Sequence, residues 1–318
     1  MDKKVKKRLL LAMIFSTGFM FFLLKKVDGS HFSLIASRLD MKYFISSWGV
    51  FILGNFIRTL RFHKLDHTGN RLIHWWNINA FYNFTTATLP GGAGEAATVY
   101  ILKRFSFLNI IGAFRILFLS RLLDLVALSA LFLTSAFLIS HDTLYREIAI
   151  WISGTLLLMS TLFLLPSSGW FVLKMTKRLM GQNRLIQKIY DKLAGFSLIS
   201  EEQRRQKTYS TTIIQSIIMM TTGIISVHLL LRAVGIYFTP VQSTYCYGVY
   251  MIFQIVPVQG IAGIGTQAAW WTLALDVAGY SAPEAVALGF VLHGAFYVFI
   301  CFLGLSALLI WIICQKFN

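Results

Sequence analysis

The chain alternates long apolar runs with short, mostly basic polar breaks. Six runs are long enough to cross a bilayer: approximately 8–26, 43–60, 110–139, 147–166, 209–231 and 285–314. Two others, 75–105 and 241–278, are apolar but interrupted by proline and glycine. The run from Trp75 to Pro90 has 16 residues. As a helix it would reach about 24 Å, short of a hydrocarbon core about 30 Å thick. It also carries Asn77, Asn79, Asn83, Thr85, Thr86 and Thr88, which lipid tolerates only when they face protein or water. The first break reads "LPGGAGE", with Pro90, Gly91, Gly92 and Gly94 ahead of Glu95; the second reads "VPVQGIAGIG", with Pro257, Gly260, Gly263 and Gly265. Proline ends a helix and glycine permits a tight turn. Non-helical backbone at membrane depth needs surrounding protein or a wet cavity. Both stretches are therefore expected to be re-entrant hairpins with broken tips.

The resulting expectation is an all-α polytopic membrane protein, one integral domain over 1–318. It has about six transmembrane helices and two re-entrant hairpins. Residues 1–140 and 141–318 each follow the order of two spans, hairpin, span, in opposite orientation, so the halves read as an inverted repeat. The spacing echoes it: Glu95 precedes Arg121 by 26 positions, and Gln267 precedes His293 by 26.

Composition strengthens the membrane reading. Only 13% of residues are charged, against roughly a quarter in soluble domains. The net charge of +16 would suggest nucleic acid in a soluble protein. Here the excess lies between apolar runs, so no nucleic-acid partner is expected. With the N-terminus inside, segments 1–8, 58–71, 103–104, 167–208 and the C-terminal tail hold 21 Lys and Arg, against 6 in the outer segments. That bias places both termini in the cytoplasm and the protein in the inner membrane. The N-terminus has the basic start and apolar core of a signal peptide but no cleavage site, and reads as an uncleaved first span. Segment 167–208 mixes Leu and Ile with Lys and Arg. It is expected to form amphipathic helices at the cytoplasmic interface, as a topology anchor or a lipid-binding element.

Candidate chemistry concentrates at the breaks and in the apolar spans. A helix restarting after Gly94 would turn free N–H groups into the membrane interior, an arrangement suited to phosphate or carboxylate. Glu95 sits in that first turn, as a functional acid or as a cap. In "FRILFLSRLLDLVAL", Arg115, Arg121 and Asp124 lie inside an apolar run. Arg121 and Asp124, three apart, can pair on one helix face, and Glu95 offers Arg121 a second partner. They could present a guanidinium to an anionic head group, or tie hairpin to span, or both. His293 and His228 are intramembrane and read as packing histidines, His293 gaining interest from its correspondence with Arg121. The three cysteines form no zinc or disulfide pattern, and His63, Asp66 and His67 lack a third fixed ligand partner; no metal and no cofactor are expected. No nucleotide-binding loop is present.

At these residues the chain resembles the lysylphosphatidylglycerol synthase transmembrane (flippase-like) family. "LPGGAGEAATVYILKR" followed by "FLSRLLDLVAL" resembles its first signature, and "IVPVQGIAGIGTQAAW" its second. The resemblance implies translocation of an aminoacylated phospholipid or lipid-linked precursor. The matching positions are Pro90, Gly91, Gly94, Glu95, Arg121, Asp124, Pro257, Gly263 and Gly265. The second signature's acid is missing, Gln267 or Ala268 standing there, and His293 stands where members often have arginine. The soluble aminoacyl-transfer domain of full synthases is not in this sequence, so synthesis of lysyl-lipid is not expected of it. The expected function is a lipid flippase binding anionic or zwitterionic head groups through Glu95, Arg121, Asp124, Gly91, Gly94, Arg115, Gln267 and His293. Alternatives are a membrane lipid-modifying enzyme or glycosyltransferase, or a non-transporting partner of a lipid-synthesis enzyme.

Overall fold

The structure, a computed structural model, describes residues 29–66, 69–90, 93–105, 110–139, 144–164, 208–255 and 260–316. Among these residues the elements are helices, with no strand. In chain order they are α1 (Gly29–Ser37), α2 (Met41–Leu65), α3 (Leu72–Thr88), α4 (Ala93–Phe105), α5 (Ile110–Leu138), α6 (Leu144–Leu164), α7 (Thr208–Ala233) and α8 (Pro240–Phe253). A 3-10 turn (Ile261–Gly263), α9 (Thr266–Val277) and α10 (Ala282–Lys316) complete them. The run expected at 8–26, the amphipathic segment expected at 167–208 apart from Thr208, Gly91 and Pro257 lie outside the described residues.

Stretches in α5, α7 and α10, namely Ile116–Leu138, Ser210–Ala233 and Ala282–Ile310, are long and apolar enough to cross a membrane. The chain is a membrane protein. The interrupted runs divide as the prolines and glycines predict. α3 and α4 have 17 and 13 residues, α8 and α9 have 14 and 12. At about 1.5 Å per residue none of the four reaches 30 Å. α3 ends at Thr88, with Leu89 as its cap ahead of Pro90, whose carbonyl accepts from Ala93 N at 3.3 Å. α8 starts at a Thr239 capping box with Pro240 behind it, and α9 starts from Gly265 at φ 83°.

One span departs from expectation. α2 runs to Leu65 rather than ending near residue 60, and Arg61 is 1% exposed. The first half of segment 58–71 is therefore helix rather than loop: Arg58 and Arg61 belong to the helix bundle.

The bundle is organised on α2 and α7, which pack antiparallel. Ser47 and Ser226 exchange hydrogen bonds with each other's carbonyls at 2.7 and 3.0 Å, and Arg61 reaches Ser216 farther along. Small residues set the seam: a Cβ at Gly54 would lie 2.7 Å from Thr222 Oγ1. Close backbone approach is how helices gain packing where lipid supplies no hydrophobic drive. α3 packs on α10, α8 on α5, and α9 on α10, while the turn Ile261–Gly263 lies against α3. Large apolar side chains remain exposed on α6, including Trp151 and Leu158, as a lipid-facing surface requires.

The first break is tight. A Cβ on Gly94 would lie 2.6 Å from Thr86 Cα and 2.8 Å from Thr85 O, both backbone atoms of α3. Backbone cannot rotate away as a side chain can. Gly94→Ala is expected to lower the melting temperature in detergent, through an overpacking penalty of about 1–3 kcal/mol. An unchanged melting curve would refute this contact.

Candidate functional site

Two helices bring arginines together, and a third lines them. α2 contributes Arg58 and Arg61, α5 contributes Arg121 and Asp124, and α3 contributes Tyr82 and an asparagine ladder. On α2, Asn55, Arg58 and Arg61 recur at three-residue steps, so they follow one another along one helix side. On α3, Asn79 and Asn83 are four apart and face them.

Asp124 is buried and takes the Arg61 guanidinium as a two-pronged partner: Nη1 donates to Oδ1, and Nη2 donates to Oδ2 at 3.1 Å. Arg61 Nη1 also donates to Ser216 Oγ of α7 at 2.6 Å. This corrects the expectation that Asp124 pairs with Arg121 in its own helix. Spacing allowed that pair, but α2 packs against α5 and offers a fully buried guanidinium. A desolvated charge gains most from a partner that satisfies both its oxygens. The pair ties α2, α5 and α7 together. One polar atom is left over: Arg61 Nε is buried and makes no hydrogen bond among the described residues.

Arg58 is placed differently. Nη1 donates to Asn83 Oδ1 at 3.0 Å and Nε lies 3.3 Å from the Met219 sulfur. Both partners are neutral. Nη2 has no partner among the described residues. Asn83 is held in turn, its Nδ2 donating to Asn55 Oδ1 at 2.9 Å and to Asn79 O at 2.8 Å. The asparagine ladder fixes where the Arg58 fork sits.

Arg121 is exposed on α5, and its guanidinium carbon lies 5.4 Å from the Tyr82 ring centroid. Arg58 lies 5.9 Å from the same centroid. One aromatic ring thus lies beside two guanidiniums, within the range of a cation–π contact. Arg58, Arg61 and Arg121 share this region with one described carboxylate.

Gln267 and His293 form a second cluster at the other break. Gln267 Oε1 accepts from Tyr250 Oη at 2.8 Å, and His293 Nε2 donates to the Ala262 carbonyl at 3.0 Å. The backbone here is left-handed at Ala262 (φ 54°), Gly263 (φ 64°) and Gly265 (φ 83°). A Cβ at Gly263 would meet Gln267 Cγ and, at 3.1 Å, His293 Cε1. Both residues therefore hold the turn, with side chains spent on the protein itself. Tyr297 connects the two breaks: its hydroxyl is 3.4 Å from Thr88 Oγ1 at the end of α3, and its ring centroid is 6.1 Å from that of His293. His228, deeper in α7, bonds Ser243 Oγ through Nδ1 at 2.8 Å, as a packing histidine does.

The remaining expected site residues are placed by backbone alone. Glu95 is the third residue of α4 and Arg115 lies near the start of α5; their side chains lie outside the described residues. Asp66, in the histidine-bearing segment after α2, accepts from Trp75 Nε1 at 3.1 Å and Asn70 Nδ2 at 3.3 Å, and so joins α2 to α3.

Sequence reasoning missed Arg58 and Arg61, because counting basic residues assigns any arginine at a span's end to a loop. The signal that could have found them is the polar stripe Asn55–Arg58–Arg61, matched by Asn79 and Asn83 across the next turn.

The family model described as lysylphosphatidylglycerol synthase TM region matches residues 9–304, and the chain belongs to that family. No curated protein and no solved structure matches it.

Proposed function

We propose that this member of the lysylphosphatidylglycerol synthase TM region family moves a phospholipid or lipid-linked precursor between leaflets. It acts as a transporter rather than an enzyme. The observation that carries the reading is the arginine cluster: three guanidiniums on two helices of a membrane bundle, two of them beside one ring. An arginine at mid-membrane costs at least about 2.5–3.5 kcal/mol. Arg61 is matched by Asp124, Arg58 is held by the neutral Asn83 and Met219, and a lipid head group carrying a phosphate suits such a cluster. Arg121, exposed on α5, lies where such a group enters, while acyl chains stay in the surrounding lipid.

The finer architecture belongs to the same reading. The short helix pairs α3–α4 and α8–α9 are re-entrant hairpins of two inverted halves. Their symmetric pairings support this: α2 against α7, α3 against α10, and α8 against α5. Alternating access is then a rocking of one half on the other about the α2–α7 seam. The protein resides in the plasma membrane with both termini in the cytoplasm, as the basic bias of the segments between apolar runs supports.

Reconstitution tests it. Purified protein is placed in liposomes carrying a labelled phospholipid, and leaflet exposure is followed by membrane-impermeant quenching. Protein-dependent loss of protection is expected. Liposomes that keep the label protected, across anionic and zwitterionic lipids, would overturn the proposal. Appearance of a covalently modified lipid would replace it with an enzymatic reading.

A further inference from the structure

The tyrosines of α8 differ in what their hydroxyls do. Tyr245, Tyr247 and Tyr250 follow one another along this helix. Tyr245 and Tyr250 are buried and spend their hydroxyls on the protein: Tyr245 Oη donates to the Tyr145 carbonyl at 3.2 Å, and Tyr250 Oη to Gln267 Oε1 at 2.8 Å. The half-buried Tyr247 makes no side-chain hydrogen bond among the described residues. A tyrosine hydroxyl away from bulk water normally finds a partner. The phenol also has a niche cut for it. A Cβ on Gly223 of α7 would lie 2.7 Å from Tyr247 Oη and 3.2 Å from Cζ, so glycine at that position lets the ring reach the α2–α7 seam. The ring packs beside Met219 and Met220 of α7, and its centroid lies 6.5 Å from that of Tyr250. Gly223 is one helical turn from Met219, whose sulfur meets Arg58 Nε at 3.3 Å. The hydroxyl therefore sits about one turn, roughly 5.4 Å, along α7 from the level of Arg58. Arg58 and Asp124 are charges within electrostatic reach of it.

We infer that Tyr247 is a ligand-contacting residue, its hydroxyl donating to an oxygen of the head group that the arginine cluster receives. The second half of the chain then shares a site whose arginines, Arg58, Arg61 and Arg121, all come from the first half. Tyr247 and Tyr250 stand three apart on α8, and Tyr250 holds Gln267 at the second break. A head group bound at Tyr247 is thereby tied to that break through one rigid helix. This inference rests on the cluster being the head-group site of the proposed transporter.

Tyr247→Phe tests it, because that change removes one oxygen and keeps the ring in its packing. The full chain is titrated in detergent with dioctanoyl phosphatidylglycerol and dioctanoyl phosphatidylethanolamine, and affinity is read from the rise in melting temperature. Transport of labelled phospholipid is followed in liposomes in parallel. Without lipid, Tyr247→Phe is expected to melt with the wild type, since no hydrogen bond described within the protein is lost. Its affinity for the tighter-binding lipid is expected to fall about tenfold, the scale of one hydrogen bond to a charged group. Gly223→Ala, whose Cβ would displace the phenol, is expected to weaken binding similarly and to add little in the Tyr247→Phe background. That arm stands even if Tyr247→Phe does not fold. Wild-type affinity in either variant overturns the inference and leaves the transport reading in place. A lowered melting temperature of lipid-free Tyr247→Phe also overturns it and makes the hydroxyl a structural group. Weakened binding in Tyr247→Phe, from a wild-type chain that flips no lipid, would sink transport and leave the contact standing. Failure of the wild type to bind either lipid overturns both.

Discussion

Asp124→Ala is expected to destabilise the bundle by about 3–5 kcal/mol, the usual consequence of leaving a buried partner charge unmatched. The Arg61 guanidinium would remain 1% exposed with only Ser216 Oγ as a described acceptor, among Phe62, Leu65 and the apolar side of α5. Arginine cannot discharge itself by losing a proton, so the helix must shift or the bundle must admit water. The measurement is thermal unfolding in detergent. The decisive companion is the double change Arg61→Met with Asp124→Leu, which removes both charges and keeps volume. It is expected to recover most of the lost stability and to transport lipid, because the two charges answer each other. A double variant that is stable yet inactive would place Asp124 on the substrate instead. A single Asp124→Ala that melts with the wild type would show that the pair does not hold α2 to α5.

Arg121→Ala is expected to do the reverse. The side chain is exposed and lies beside the Tyr82 ring, so the melting curve should stay close to wild type. Lipid transport in liposomes should fall roughly ten- to hundredfold, the range corresponding to one lost hydrogen bond with a charged group. Arg121→Lys should retain part of the activity, since charge remains while the planar fork is lost. Normal transport by Arg121→Ala would remove this residue from the site. A collapse in stability would show that it acts by holding α5 to α3. Glu95→Gln, read in the same assay, asks whether the acid at the start of α4 matters to transport: unchanged flipping would leave it a capping group.

The contrast between these two variants follows from what each arginine touches. Arg61 is enclosed and satisfied by protein, so its removal or isolation is felt as stability. Arg58 is held by the neutral Asn83 and Met219 and Arg121 lies exposed beside the Tyr82 ring, so under the proposed function their removal is expected to be felt at the head group. Arginines that look alike by composition are therefore told apart only through their partners.

Much of the architecture was legible in the residues. Apolar runs marked α5, α6, α7 and α10 within a few positions, because span length is a local property of hydropathy and helical rise. Pro90 and Gly94, and Gly263 and Gly265, marked the interruptions, because the backbone conformations needed there exclude most other residues. The motif around Pro90–Glu95 and Arg121–Asp124 led to the family that the matched residues 9–304 establish. What only the tertiary structure decided is which charges meet. Spacing along α5 made Arg121 the natural partner of Asp124, but α2, packed along α7, supplied Arg61 from 63 positions away. Ion pairs inside a membrane are chosen by which helices touch and at what register, and no local pattern in a single sequence encodes that. The same packing drew Arg58 and Arg61 out of an apparent cytoplasmic loop and into the site.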